Sequence, residues 1–141
     1  MIQLKIVKDS LNKELESLLD QVFYHPHPRV CAHGQTWLPQ IDIYETEEGF
    51  QVVAELPGSR PEDIEVVVDH RHLKLAGRRR PRTPENSYLV HQSEIIFGEF
   101  RRIFRMPSFI VPDRTEAALD HGILTILLIK DRAVKTTVEI L

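Results

Sequence analysis

From Trp37 onward the chain consists of short apolar runs that alternate with polar residues and are punctuated by turn residues, with no amphipathic helix between them. A period of two places alternate side chains on one face of a strand, whereas a core-facing helix repeats near every 3.6 residues. Ile41 and Ile43 alternate with Asp42, and a Thr-Glu-Glu-Gly turn leads into FQVVAEL, where Phe50, Val52, Ala54 and Leu56 share a face. These two runs are expected to form a hairpin. Leu56-Pro57-Gly58 stops the strand, Ile64, Val66 and Val68 alternate in the next, and HLKLAG follows a turn at 69–72. GEFRRIFRMP sets Phe100, Arg102, Phe104 and Met106 against Arg101, Ile103 and Arg105 until Pro107 ends it. After Gly122, ILTILLI is apolar on both faces, which predicts a central strand or one whose outer face is covered. Seven or eight such strands predict an all-β fold, an immunoglobulin-like antiparallel β-sandwich.

The first 36 residues read differently. Leu4, Val7, Leu11, Leu15, Leu18 and Val22 recur in steps of three and four, so residues 3–24 are expected to form an amphipathic helix. The segment HPHPRVCAHGQ then supplies two prolines and a glycine, which end the helix before His25 and open a linker over 25–36. Residues 78–87 (RRRPRTPENS) hold two prolines and no apolar side chain, which marks a long excursion with Tyr88, Leu89 and Val90 as a short strand within or after it. The expected division is an N-terminal arm at 1–36, the sandwich at 37–130 and a C-terminal extension at 131–141.

Composition narrows the function by exclusion. At 141 residues with a formal net charge of −3, the chain has the size of one domain and no overall basic field to attract nucleic acid. The cluster Arg78, Arg79, Arg80 and Arg82 has no interleaved aromatics and reads as a solvated or salt-bridged loop. A lone cysteine, Cys31, forbids an internal disulfide and sits in no nucleophile motif. No stretch approaches the roughly 18 apolar residues of a membrane span, so a cytoplasmic protein is expected. His70 with His72 flank a turn, and His25, His27 and His33 lie in the proline-rich linker; neither set has the spacing of a closed metal site. They could instead tune assembly near neutral pH. Phosphate-loop, nucleophile-elbow and dinucleotide glycine patterns are all missing, and no cofactor or catalytic residue is expected.

Five motifs fall in one order. Pro39 precedes Ile41-Asp42-Ile43-Tyr44, and Ala54-Glu55-Leu56-Pro57-Gly58 is followed by Pro61-Glu62-Asp63-Ile64. Gly98-x-Phe100-x-Arg102-x-Phe104-x-Met106-Pro107 comes next, and Ala118-x-x-His121-Gly122-Ile123-Leu124 last. Together these resemble the small heat-shock proteins of the bacterial and plant type over residues 37–140. The match to the G-x-F-x-R-x-F-x-L-P strand has Met106 where Leu is usual, and the A-x-x-x-N-G-V-L signature carries His121 and Ile123 as departures.

The resemblance implies an ATP-independent holdase that binds unfolding client proteins, forms a homodimer and builds higher homo-oligomers. In that family the excursion carries a strand into the partner subunit; here Tyr88, Leu89 and Val90 would be exchanged, with Ile95, Ile96 and Phe97 as apolar contacts. Val138-Glu139-Ile140 resembles the family's I-x-I tail, with Val in place of the first Ile, and would set Val138 and Ile140 on one side of an extended segment. The arm residues Leu4, Val7, Leu11, Leu15, Leu18, Val22 and Phe23 would bind clients, or else the arm is a helix packed on its own sandwich. The competing expectation is a p23-like co-chaperone or scaffold that binds one folded partner.

Overall fold

The computed structural model describes residues 2–6, 11, 13, 14, 37–87, 89–132 and 140. Eight strands follow one another: β1 (Gln3–Ile6), β2 (Ile41–Glu45), β3 (Gly49–Glu55), β4 (Ile64–Val68), β5 (His72–Arg79), β6 (Gly98–Arg105), β7 (Glu116–Asp120) and β8 (Ile123–Ile129). They make two four-stranded sheets in the orders β1-β4-β5-β6 and β2-β3-β8-β7. Every pairing is antiparallel except β1 with β4, which is parallel.

The alternation read from the sequence decides what lies between the sheets. Val52 and Ala54 of β3, Val66 and Val68 of β4, Leu73 and Leu75 of β5, Phe100 of β6, and Leu124, Ile126 and Leu128 of β8 interdigitate as one buried cluster. Trp37 joins it by meeting Phe100 edge to face, with ring centroids 5.2 Å apart. The expected hairpin is β2–β3, closed where Thr46 N donates to Gly49 O at 2.8 Å and Gly49 N donates to Thr46 Oγ1 at 3.1 Å. Strand β8 is central as expected, hydrogen-bonded to β3 on one side and β7 on the other, while its outward Ile123 and Leu127 stay exposed.

Two turns carry the sequence motifs and touch each other. His121 and Gly122 join β7 to β8 with φ of 48° and 80°, the two left-handed positions that a two-residue type I′ hairpin loop requires. Histidine tolerates that region better than most residues, which is why it can stand where the family pattern has Asn. Gly122 O accepts from Leu56 N at 2.7 Å, and a Cβ on Gly122 would sit 3.0 Å from Pro57 Cα. The L-P-G turn and the H-G turn are therefore one joint between the ends of β3 and β7.

Two expectations are corrected. Residues 3–6 belong to a strand and not to a helix. Ile2, Leu4 and Ile6 also alternate with Gln3 and Lys5, and the free edge of β4 supplies the hydrogen-bond partners that let this period prevail over the helical one. Leu89 and Val90 lie outside any strand among the described residues; Tyr88 falls outside them. Of the remaining arm positions, Leu11 is helical and buried, whereas Val7, Leu15, Leu18, Val22 and Phe23 also fall outside the description.

Candidate assembly and client-binding surfaces

Strand β2 forms one margin of its sheet, with β3 on its only paired side. Ile41 packs against the core, but Ile43, in register with buried Val52, and Tyr44 remain exposed. A strand margin of this kind offers unpaired backbone N–H and C=O groups to any extended segment. The longest irregular stretch described, residues 80–97, carries a matching set of apolar side chains: Leu89 and Val90 are 60% and 67% exposed, and Ile95 and Ile96 are exposed as well. Phe97 is half-buried at the return into β6.

Both ends of this stretch are tied to the sandwich by arginines that the sequence presented only as a basic cluster. Arg79 donates from Nε to Ile96 O at 2.9 Å and lays its guanidinium 3.8 Å from the centre of the Trp37 ring. Arg80 reaches Asp63 with Nη2 to Oδ1 at 2.6 Å, and Arg78 Nε lies 3.3 Å from the same oxygen. Hydrogen bonding from Arg80, and secondarily from Arg78, holds the Asp63 carboxyl below the usual carboxylate range despite its burial. The Asp63 charge in turn raises Arg80. Three of the four clustered arginines are therefore engaged within the chain, which fits the salt-bridged reading.

The G-x-F-x-R-x-F strand is β6, and each of its motif residues has a structural task. Phe100 is buried in the core; Gly77, its cross-strand partner, has room for no side chain, since a Cβ there would come 2.7 Å from the Phe100 ring. Arg102 donates to Pro39 O at 2.9 Å and stacks over Phe104 at 5.1 Å, fastening the segment before β2 across to the other sheet. Partial burial lowers the Arg102 pKa. Ala118 lies on the exposed face of β7, and Leu124 is fully buried.

The model that matches the chain describes the Hsp20/alpha crystallin family, over residues 42–140. The chain belongs to this family. Small heat shock protein C2 of Rickettsia felis is 29% identical over 124 residues, covering 86% of this chain and 80% of its own. The structure of heat shock protein 16.0 from Schizosaccharomyces pombe superposes with a TM-score of 0.63 at 34% identity, covering 74% of this chain and 97% of that one. A small heat-shock protein from Xylella fastidiosa gives a TM-score of 0.62 at 34% identity, over 76% of this chain and 97% of that one. The small heat shock family consists of ATP-independent chaperones, not enzymes, and its members typically assemble into oligomers.

In this small heat shock protein no helix among the described residues is long and apolar enough to cross a membrane, and no group of three or more His, Cys, Asp and Glu side chains there could hold a metal. His72 is instead a buried turn residue: Asp69 accepts from its backbone N at 2.6 Å and faces Nδ1 at 3.1 Å. Ile140 is 96% exposed, and Val138 falls outside the described residues. Sequence reading placed the turn at 69–72 but missed β1 and the anchoring of the excursion by Arg79 and Trp37. Alternation of Ile2, Leu4 and Ile6 could have signalled the first; the second depends on a contact between residues 42 positions apart.

Proposed function

We propose that this chain is a holdase chaperone of the cytoplasm that binds unfolding proteins without ATP and prevents their aggregation. The observation that carries the reading is the juxtaposition, in a member of a chaperone family, of an open β2 margin and an excursion whose Leu89, Val90, Ile95 and Ile96 are exposed. In a monomer that arrangement is an aggregation hazard; in a dimer it is a docking pair. Tyr88, Leu89 and Val90 enter a partner subunit as an added strand, with Ile95, Ile96 and Phe97 packing behind them. Residues 37–130 form the sandwich unit, residues 1–36 the arm and residues 131–141 the extension.

The extension supplies the second level of assembly. Val138 and Ile140 dock on a neighbouring subunit, and burying two such side chains offers about 3–6 kcal/mol before the ordering of the tail is subtracted. Links that weak exchange readily, while many of them acting together hold a large particle. Clients meet the apolar stripe of Leu4, Val7, Leu11, Leu15, Leu18, Val22 and Phe23 when assembly contacts loosen. Capture of unfolded states lowers their free concentration by mass action alone.

The deciding experiment is light scattering from a heat-denaturing enzyme with this protein added at rising subunit ratios and no nucleotide. Suppression that saturates near stoichiometric ratios is expected. A folded sample that leaves scattering unchanged at excess, with a solution mass of one subunit, sinks the reading in favour of a scaffold for a specific partner.

A further inference from the structure

In the strand-exchange reading, residues 89–97 must reach a partner, yet their own chain holds them by very little. Gln92 Nε2 donates to Glu94 within the segment. Among the described residues, the bonds from Arg79 to Ile96 O are the only hydrogen bonds or ion pairs that join 89–97 to the rest of the chain. The outgoing leg is different, since Arg78 and Arg80 fasten its start to Asp63. Only the return leg depends on Arg79.

Arg79 ends β5 and stands opposite Gly98, the first residue of β6. Gly98 has a φ of 123°, a conformation that a side chain would strain, and it forms the bend between the return leg and β6. Backbone beyond such a bend can swing unless something fixes its direction. Ile96 O, two residues past the bend, accepts from both Nε and Nη2 of Arg79, the Nε bond being 2.9 Å. The same guanidinium rests on the Trp37 ring, 3.8 Å from its centre. Trp37 is held in turn by the sandwich: its N donates to Glu99 O at 3.0 Å, and its ring meets Phe100 edge to face. A planar guanidinium can stack on a ring and donate through two N–H groups at once, which a lysine ammonium cannot do in this geometry.

The consequence for assembly is one of populations. Leu89, Val90 and Ile95 are exposed, and they can meet a partner only in the fraction of chains whose return leg points the right way. We propose that Arg79 is a positioning residue for dimerisation: clamped between Trp37 and Ile96 O, it aims the return leg from the Gly98 bend, so that the exchange segment is presented before a partner arrives. The inference rests on the reading of residues 88–90 as an exchanged strand, and adds the residue that prepares it. Arg79 need touch no atom of the partner. Its contribution is preorganisation, which lowers the cost of association without adding a contact.

The test is dilution of the full chain, with sedimentation reading the concentration at which half the subunits stand alone. Arg79→Lys keeps the charge but loses the planar fork, and should raise that concentration roughly tenfold, as a fall of the competent fraction to about a tenth requires. Denaturant unfolding of the diluted subunit should hardly change, because Arg79 lies at the end of β5 and outside the core cluster. A merely structural role would leave the direction of the leg unmoved, so that direction is read by itself. In a Cys31→Ser chain, nitroxides at Ser93→Cys and Glu55→Cys report the distance from excursion to sandwich in the diluted subunit. Its distribution should be narrow in the parent and broad with Arg79→Lys. An unchanged half-dissociation concentration overturns the proposal, as does a large loss in unfolding, which would assign the effect to the fold. A weakened dimer whose distance distribution stays narrow overturns it too, since Arg79 would then act on the partner and not on its own leg. Leu89→Asp with Val90→Asp tests the underlying reading: a chain that still pairs refutes the exchanged strand and the positioning role with it. If that chain falls to single subunits while Arg79→Lys pairs normally, only the positioning role is lost.

Discussion

The edge of β2 and the edge of β4 pose the same physical problem and meet it differently. Each is the margin of a sheet whose inner face is buried, so each presents backbone groups that need partners. At β4 the chain supplies its own strand from residues 3–6, beside an open groove that β7 also lines. At β2 no strand among the described residues is added, and Ile43 and Tyr44 stay exposed. A single fold thus fills one sheet edge with its own strand and, among the described residues, leaves the other open.

The largest expected effect removes the frame that both edges share. Phe100→Ala deletes a ring packed on Trp37 and inserted beside Gly77, and should cost about 3–5 kcal/mol in denaturant unfolding. A loss below about 1 kcal/mol would mean that the two sheets are not held by this contact.

The next effect separates the edges. Ile43→Lys with Tyr44→Lys places charges along β2 where the side chains are already exposed, so unfolding should change by no more than about 0.5 kcal/mol. Solution mass should nevertheless fall toward one subunit. A normal mass would place dimerisation elsewhere, and the β4 edge would become the first candidate.

The smallest effect concerns Asp63, which ties the turn before β4 to the end of β5. Its carboxyl is held below the usual range by Arg80 and Arg78, so the folded state favours the charged form more than the unfolded chain does. That stabilisation is complete above the ordinary carboxylate value of about 4 and is lost as pH falls through the lowered folded value. Asp63→Asn should lower the melting temperature at neutral pH and converge with the parent in acid. A gap that persists unchanged in acid would show that the ion pairs contribute nothing there.

How far the sequence disclosed this molecule depends on which forces were local. Strands β2 to β8 were legible because Phe50, Val52 and Ala54, or Ile64, Val66 and Val68, announce a buried face through neighbours two residues away. The His121-Gly122 pair was legible only as part of a motif, although the turn it makes between β7 and β8 is a local one. β1 was not, since MIQLKI satisfies a helical stripe and a strand alternation at once, and only the vacant edge of β4 decides between them. Likewise nothing near Arg79 in sequence foretells that its guanidinium will rest on Trp37, 42 positions earlier. The segments read as assembly candidates stand between these cases: pattern singles out Leu89, Val90 and Ile140, and each of them is exposed.

Trp37 gives that last contact a practical meaning. It is the sole tryptophan, and it sits where the arm joins the sandwich. Its ring is nearly buried, with Phe100 at its edge and the Arg79 guanidinium 3.8 Å from its centre, while the same guanidinium grips Ile96 O at the far end of the excursion. A cation that close to an indole shifts its emission, so movement of the excursion that pulls Arg79 away should alter the colour of the protein's own fluorescence. The joint therefore carries a built-in optical probe, through which movement of the excursion can be followed in unlabelled protein.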